Sequence, residues 1–375
     1  MAGLYIHIPF CVKRCIYCDF FSNTHMQLKE AYLTALLKEM VLRKDYIGEE
    51  CIDTIYLGGG TPSQLSPEDL KKIFEGIHTY FTLSGQPEIT LEANPDDLQP
   101  DYLEKLRLLP FNRISMGIQS FQDTDLEFLN RRHTAAQAIQ AVRACKEYGY
   151  QNLSIDLIYG LPGQTLSSWE QNIREAIRLE IPHLSAYHLT YEENTRLYKW
   201  KEQGKIKPVE EETSLAFFST LIDKLTKAGF THYEISNFAK PGAISRHNSA
   251  YWKGEKYIGL GPSAHSYNQY TRCWNVSSLP AYIRGMTGNN PQMEQENLDL
   301  YTRYNDYIIT GLRTSWGIQL SEIEKQFGNG LTNYCRQQAA PYIEKNLLTR
   351  TGQTLTLSRQ GMFISDTIMS DLLWV

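Results

Sequence analysis

Three cysteines, Cys11, Cys15 and Cys18, fall within eight residues in the spacing Cys-x-x-x-Cys-x-x-Cys. Clustered thiolates are soft ligands, and their chemistry is that of zinc or of iron–sulfur clusters. The number three is informative. A structural zinc ion takes four protein ligands and a two-iron ferredoxin takes four cysteines, whereas three cysteines on a four-iron cluster leave one iron open for another ligand. His7 stands close enough in sequence to complete a zinc set, so spacing alone leaves both groups open while favouring the cluster. His7 also fits a strand pattern, where a histidine is more often a core or pocket residue. The other four cysteines, Cys51, Cys145, Cys273 and Cys335, are widely separated. They do not form a secreted disulfide framework and read as packed or bystander thiols.

Further polar residues follow apolar runs at regular intervals. Gly58-Gly59-Gly60-Thr61-Pro62 is a glycine-rich turn where backbone groups can approach a ligand. It lacks the Gly-Lys-Ser/Thr of a Walker loop and the Gly-x-Gly-x-x-Gly of a dinucleotide fold, and by itself it is as compatible with a plain tight turn. Glu92 with Asn94, then Gln119, then Asp156 close later runs in the same way.

The elements that must position these residues are legible as strand–helix alternation. β-Rich runs cover residues 4–8, 52–57, 88–93, 113–116, 153–158 and 183–189. Segments with apolar residues at three- and four-residue spacing lie between them, at 28–42, 67–80, 135–148 and 167–179. Such alternation needs crossover connections and hence a parallel sheet, an α/β fold. Periodicity does not choose between an open doubly wound sheet and a partial barrel. Both place ligands at the carboxyl ends of the strands, so the glycine turn and the polar residues are expected to share one pocket.

Beyond residue 229 the pattern becomes loop-like, aromatic and glycine-rich over 233–270, with a linker at 285–291. A smaller domain follows, with a helix around 298–312, one from Ser321 capped by Glu324, one around 331–346, and a hairpin turning at Thr351-Gly352. That order is winged-helix-like. From residue 300 onward, however, seven Lys/Arg face six Asp/Glu, and the whole chain carries a net charge of −5. Neither figure suits a phosphate backbone, so no nucleic-acid partner is expected. No apolar stretch is long enough for a membrane helix, and a cytoplasmic protein is expected.

The cysteine spacing resembles the signature of radical S-adenosylmethionine (SAM) enzymes, and the resemblance covers nearly the whole chain. It is narrowed to the coproporphyrinogen III oxidase-like branch by Tyr5-Ile6-His7-Ile8-Pro9-Phe10-Cys11, Gly58–Pro62, Ser115-Met116-Gly117-Ile118-Gln119-Ser120-Phe121 and Ile155-Asp156-Leu157-Ile158-Tyr159-Gly160-Leu161-Pro162. It implies a partial (β/α)6 barrel over residues 1–232, an aromatic and glycine-rich extension over 233–290, and a winged-helix-like α+β domain over 291–375. It implies a [4Fe-4S] cluster on Cys11, Cys15 and Cys18 whose open iron is chelated by SAM. The branch's SAM contacts fall on Tyr5, Tyr17, Gly59, Gly60, Thr61, Glu92, Gln119, Arg131 and Asp156, and Tyr17 packs the adenine.

Two departures set the chain apart from the branch's oxidase. The oxidase has a further cysteine two residues after the triplet, where this chain has Phe20, and a segment ahead of the first strand, where this chain enters the strand at once. Arg246-His247-Asn248-Ser249-Ala250-Tyr251-Trp252 instead resembles a motif of the branch's haem chaperones. In that reading His247 supplies an imidazole to haem iron, Tyr251 and Trp252 face the macrocycle, and Arg246 pairs with a propionate. The resemblance thus implies a haem carrier with a haem-acceptor protein and an electron donor as partners, and transient contact with membrane-bound haem proteins. The alternative is an enzyme that turns the SAM-derived radical on a porphyrinogen. Anaerobically reconstituted protein is expected to be brown and to hold about four irons and four sulfides per chain. Changing Cys11, Cys15 and Cys18 together to alanine should remove the colour, whereas zinc without labile sulfide in the wild-type protein would exclude the cluster.

Overall fold

The computed structural model describes residues 2–375. Strands β1 (Ala2–Ile8), β2 (Ile52–Gly59), β3 (Leu83–Ala93), β4 (Arg113–Gln119), β5 (Leu153–Tyr159) and β6 (His183–His188) pair in sequence order, each parallel to the next. Alternation decides which face each residue takes. Leu4, Ile6 and Ile8 are fully buried among the core residues shared with the helices, and Tyr5 and His7 point the other way, into the concave lumen. Crossover helices Lys29–Arg43, Pro67–Tyr80, Ala135–Glu147 and Leu166–Arg178 fall where the apolar spacing places them. Three start at capping boxes, Ser66 with Asp69, Thr134 with Gln137 and Thr165 with Ser168, which satisfy otherwise orphaned backbone donors. The short helix Pro100–Leu106 has too few turns to show a period and is not apparent in the sequence.

The sheet continues past these six strands. On the β6 side come β8 (Asn237–Ala239) and then β7 (Thr231–Glu234); on the β1 side come β9 (Lys256–Leu260), β10 (His265–Tyr267), β11 (Thr271–Asn275) and β12 (Met293–Asn297). β9 runs parallel to β1, and the outer strands are antiparallel. The order β12-β11-β10-β9-β1-β2-β3-β4-β5-β6-β8-β7 leaves its two ends unpaired, so the barrel is partial. The loop-like composition of 233–270 therefore conceals strands. They are three to five residues long, too short for alternation to register, and their glycines serve packing. A Cβ on Gly259 would lie 2.0 Å from the His265 carbonyl oxygen, so the close approach of β9 and β10 requires glycine. Part of the expected 285–291 linker is likewise helical, in Leu279–Thr287.

The C-terminal unit packs helices Leu300–Leu312, Leu320–Glu344 and Ser365–Leu372 on a three-stranded sheet of β13 (Ile318–Gln319), β15 (Thr354–Leu357) and β14 (Leu348–Thr351), around its own buried core. The long helix is broken at Gly328, so it consists of two helices as expected. The expected Ser321–Glu324 capping box does not form. The helix starts at Leu320, and the first donors are taken by the hairpin and the preceding helix instead: the Leu320 N–H donates to the Gln353 carbonyl and the Gln319 N–H to the Tyr307 hydroxyl.

A buried ion pair fastens the β9–β11 extension to the first crossover helix. Glu39, fully buried, accepts hydrogen bonds from Asn275 Nδ2 (2.6 Å), the Gly261 N–H (2.8 Å) and the Tyr282 hydroxyl (2.7 Å). Arg43 donates to the Gly259 carbonyl (2.9 Å) and Ser266 Oγ (2.9 Å), and its Nη1 stands 3.5 Å from Glu39. Burial pushes the Glu39 carboxyl up, and Arg43 draws it back down. Removing one member of such a pair strands the other charge, so Arg43→Met is expected to cost roughly 3–5 kcal/mol. Urea unfolding of the cofactor-free chain would measure it, and a loss below about 1 kcal/mol would show that the pair does not hold the extension.

Candidate functional site

Beyond β1 the chain turns through the cysteine loop, and a clamp holds both ends of that loop. The Cys11 N–H donates to the Asn23 carbonyl (2.9 Å) and the Asn23 N–H to the Pro9 carbonyl (2.6 Å). All three loop thiols are free and partly exposed. Cys11 Sγ is 3.5 Å from Thr61 Oγ1, and Arg131 Nη1 is 3.3 Å from Cys15 Sγ. Burial pushes the Cys11 and Cys18 thiols up, the latter to about 11, so iron must displace protons to bind there. No other cysteine joins them. Cys145 is buried in helix 135–147, Cys273 in β11 and Cys335 in the C-terminal core, while Cys51 is exposed ahead of β2. His7 spends both ring nitrogens elsewhere, accepting from the Tyr5 hydroxyl (3.1 Å) and donating to the Phe21 carbonyl (2.8 Å). Among the described residues no fourth protein donor joins the three thiolates, which fits a cluster that keeps one iron open and does not fit a closed zinc site.

The loop roofs a cavity of about 460 Å³ at the carboxyl ends of the strands. Its lining brings together Cys11, Cys15, Cys18, Tyr17, Gly59, Gly60, Thr61, Glu92, Gln119, Arg131 and Asp156. Tyr5, expected among the SAM contacts, is outside this lining; its ring stacks against Tyr56, which does face the cavity (centroids 6.2 Å apart). Tyr56, Ser115 and Tyr187 were not singled out from the sequence, although strand alternation offered a signal, because each lies on the face that looks into the lumen. Asn248 also lines the cavity and carried no such signal, since it comes from a helix far along the chain.

Backbone geometry at the site is specialised. Gly59 has φ 111°, and a Cβ there would lie 2.6 Å from the His7 ring. Its N–H donates to Glu92 Oε2 (3.2 Å), while the Tyr56 hydroxyl donates to Oε1 (2.6 Å). Gln119 holds a left-handed φ of 70° beside a register shift at the end of β4, an unfavourable conformation of the kind that collects at binding sites. The Arg131 guanidinium reaches Asn94 Oδ1 (2.6 Å) and the Gly117 carbonyl (2.5 Å), joining two strand ends to the cysteine loop. With Lys13 and Arg14 it is one of three cations in the cavity's lining.

Glu92 and Asp156 face one another across this space as two desolvated carboxyls. Burial, with the Asp156 charge adding to it, pushes Glu92 up to about 7; burial pushes Asp156 up to about 6. A carboxyl raised in the folded state contributes its full stability at low pH, and that contribution is lost as pH rises through the folded value. In cofactor-free protein, Glu92→Gln should therefore gain thermal stability relative to wild type between about pH 5 and about pH 8. Parallel stability–pH profiles for the two proteins would contradict the assignment.

The Arg246–Trp252 helix closes the lumen from the opposite end. Its first N–H groups, those of Arg246 and His247, donate to the two oxygens of Glu88 (3.1 and 2.9 Å). His247 is 2 % exposed. Its Nδ1 is 2.7 Å from Thr54 Oγ1, its Nε2 accepts from the Tyr251 hydroxyl (2.8 Å), and its ring stacks on Tyr56 at 5.0 Å. Burial drives it down to about 3, so the ring is neutral. Both nitrogens of the imidazole expected to meet haem iron are thus engaged within the wall, by Thr54 and Tyr251. Arg246 projects outward, with Nη1 donating to the Gln86 carbonyl (2.8 Å). Tyr251 and Trp252, from the same helix, line a second cavity of about 670 Å³.

Comparison with known proteins agrees with this architecture. The Radical SAM superfamily model matches residues 5–176, and the HemN C-terminal domain model matches residues 298–364. The protein named heme chaperone HemW in Bacillus subtilis (strain 168) is 34% identical over 100% of this chain and 99% of its own length. Its namesake in Mycobacterium tuberculosis (strain ATCC 25618 / H37Rv) is 32% identical over 99% and 94%. Radical S-adenosyl methionine domain-containing protein 1, mitochondrial, of Bos taurus is 31% identical over 99% and 87%. Among solved structures, coproporphyrinogen III oxidase (HemN) of Escherichia coli superposes with a TM-score of 0.86 at 24% identity, covering 99% of this chain and 89% of that one, and so shares the fold. With three cysteines on the roof loop, a radical SAM core and end-to-end similarity to these proteins, the chain belongs to the HemW family of the radical SAM superfamily.

Proposed function

We propose that this protein binds haem and passes it to an acceptor protein, and that it carries a [4Fe-4S] cluster on Cys11, Cys15 and Cys18 with SAM in the adjoining cavity. The observation that carries the reading is similarity above 30% along essentially the whole length of several proteins named heme chaperone HemW. The likeness to the oxidase, by contrast, is one of fold. When bound, the cluster supplies an electron that can cleave the SAM sulfonium. The chain's own residues bind and orient: Arg131 pairs with the methionine carboxylate, Glu92 and Asp156 accept from the amino group and the ribose hydroxyls, and Tyr17 packs the adenine. Tyr5 acts beneath this layer, supporting Tyr56.

Phe20 supports a carrier over an oxidase. It lines the mouth of the first cavity and is 66% exposed, where the branch's oxidase has a further cysteine. Within the proposal the electron donor is a separate protein, the setting is the cytoplasm, and haem transfer takes place in transient contact with membrane-bound haem proteins. No helix among the described residues is long and apolar enough to cross a membrane. Nucleic acid has no part in the scheme, because the chain as a whole carries net negative charge.

The test is to incubate cluster-loaded protein anaerobically with coproporphyrinogen III, SAM and a reductant, and separately with haem. The expected result is no protoporphyrinogen IX, about one haem bound per chain, and loss of that haem to a haem-free acceptor. Sustained SAM-dependent decarboxylation would replace this reading with the enzymatic one.

A further inference from the structure

The second cavity lies between the strand extension and the C-terminal unit, and both contribute to its wall. Tyr251, Trp252, Tyr257 and Tyr267 come from the first side, Arg303 and Tyr307 from the second. At about 670 Å³ it falls within the range of small-molecule sites, roughly 300–1,000 Å³. The rings form a continuous aromatic wall. Tyr251 meets Tyr257 edge-on at 4.7 Å, and Tyr257 stacks with Tyr267 at 6.1 Å. Such a wall suits a flat conjugated ligand.

Its charges differ in their availability. Arg272 is committed to Asp306 (2.6 Å) and stands 3.8 Å from Glu296, so it and the Asp306 carboxylate largely cancel. Arg303 is not committed. Its Nε is buried without a hydrogen-bond partner, its guanidinium lies 5.9 Å over the Tyr270 ring, and among the described residues it forms no salt bridge, the exposed Asp299 at the start of its helix acting on it only from a distance. Trp252 Nε1 is a second buried donor without a partner. Buried donors of this kind are costly until an acceptor reaches them. The lining thus matches a ligand that is flat, conjugated and edged with carboxylates.

We propose that this cavity between the barrel and the C-terminal unit is the seat of the haem, with Arg303 holding a propionate and His247 serving from behind as a positioning residue. The proposal rests on the haem-carrier reading and deepens it. It moves the haem off the His247 ring and into the second cavity, which the same helix lines through Tyr251 and Trp252. His247 fixes the Tyr251 hydroxyl and stacks on Tyr56, which lines the SAM cavity, so the 246–252 helix is a common wall of the two cavities. The C-terminal unit becomes half of the haem site, a role for which a winged-helix-like fold needs no basic surplus.

The experiment titrates cluster-loaded, full-length protein with haem and with its dimethyl ester, which keeps the macrocycle and iron but lacks both carboxylates. Absorbance is the readout, and iron–sulfur content the control for folding. Arg303→Glu should weaken haem binding at least about tenfold, Arg303→Lys should restore most of it, and the ester should bind wild type and Arg303→Glu alike. Tyr270→Asp, at a ring that is 67% exposed and safe for folding, should also weaken haem more than ester. His247→Ala should leave the position of the bound-haem absorption band unchanged. If both Arg303→Glu and Tyr270→Asp bind haem as wild type does while His247→Ala loses the band, the seat is at His247, and the carrier reading survives without this site. If wild-type protein binds neither haem nor ester, the carrier reading falls and this proposal with it.

Discussion

The carboxylate of Glu88 at the middle of β3 accepts the backbone N–H groups of Arg246 and His247 and so fixes the start of a seven-residue helix inside the lumen of an open half-barrel. A short helix in isolation is unstable, and an anion at its first turn supplies what propensity does not. Much follows from that anchor. The helix sets the His247 ring against Tyr56, and Tyr56 donates to Glu92 in the cofactor cavity. Towards its C-terminal end the same helix offers Tyr251 and Trp252 to the second cavity. A partial barrel has a lumen that cannot stay empty at both ends. Here the cysteine loop roofs one end and this helix fills the other.

The same economy governs the edges of the sheet. A row of unpaired backbone groups invites association, and this chain adds short strands on both sides of the six, β9 parallel to β1 and the others antiparallel. The β1 side is tied down by the buried Glu39–Arg43 pair, whose partners all come from residues 259–282. The β7 side is tied to the C-terminal unit, where Arg313 reaches the buried Glu234 at 3.0 Å and Glu234 bridges Thr314. These contacts hold the second unit against the sheet extension, and the second cavity depends on that placement.

Carboxylates thus do three separate kinds of work in one fold. Glu39 is matched by a cation and three donors and is structural. Glu88 is matched by backbone donors and positions a helix. Glu92 and Asp156 are raised together and face open space, the arrangement expected where a ligand completes the hydrogen bonding.

By itself the sequence determined the three-thiolate loop, the six parallel strands and their crossover helices, and, within the first cavity, the glycine turn and the polar residues at strand ends. These are local patterns: a fixed cysteine spacing, two-residue and 3.6-residue periods, and motifs at strand ends, each legible over a few consecutive residues. Tertiary structure alone decided that residues 233–275 add strands to the sheet, because pairing with β1 and β6 supplies what strands of three to five residues lack in pattern. It decided that the Ser321–Glu324 box stays unused, since a hairpin meets the helix start first. It also decided the fate of His247. A histidine among tyrosines and a tryptophan is chemically able to bind iron, yet whether its nitrogens are free depends on Thr54 from β2 and on the Tyr251 rotamer, which no spacing in the chain encodes.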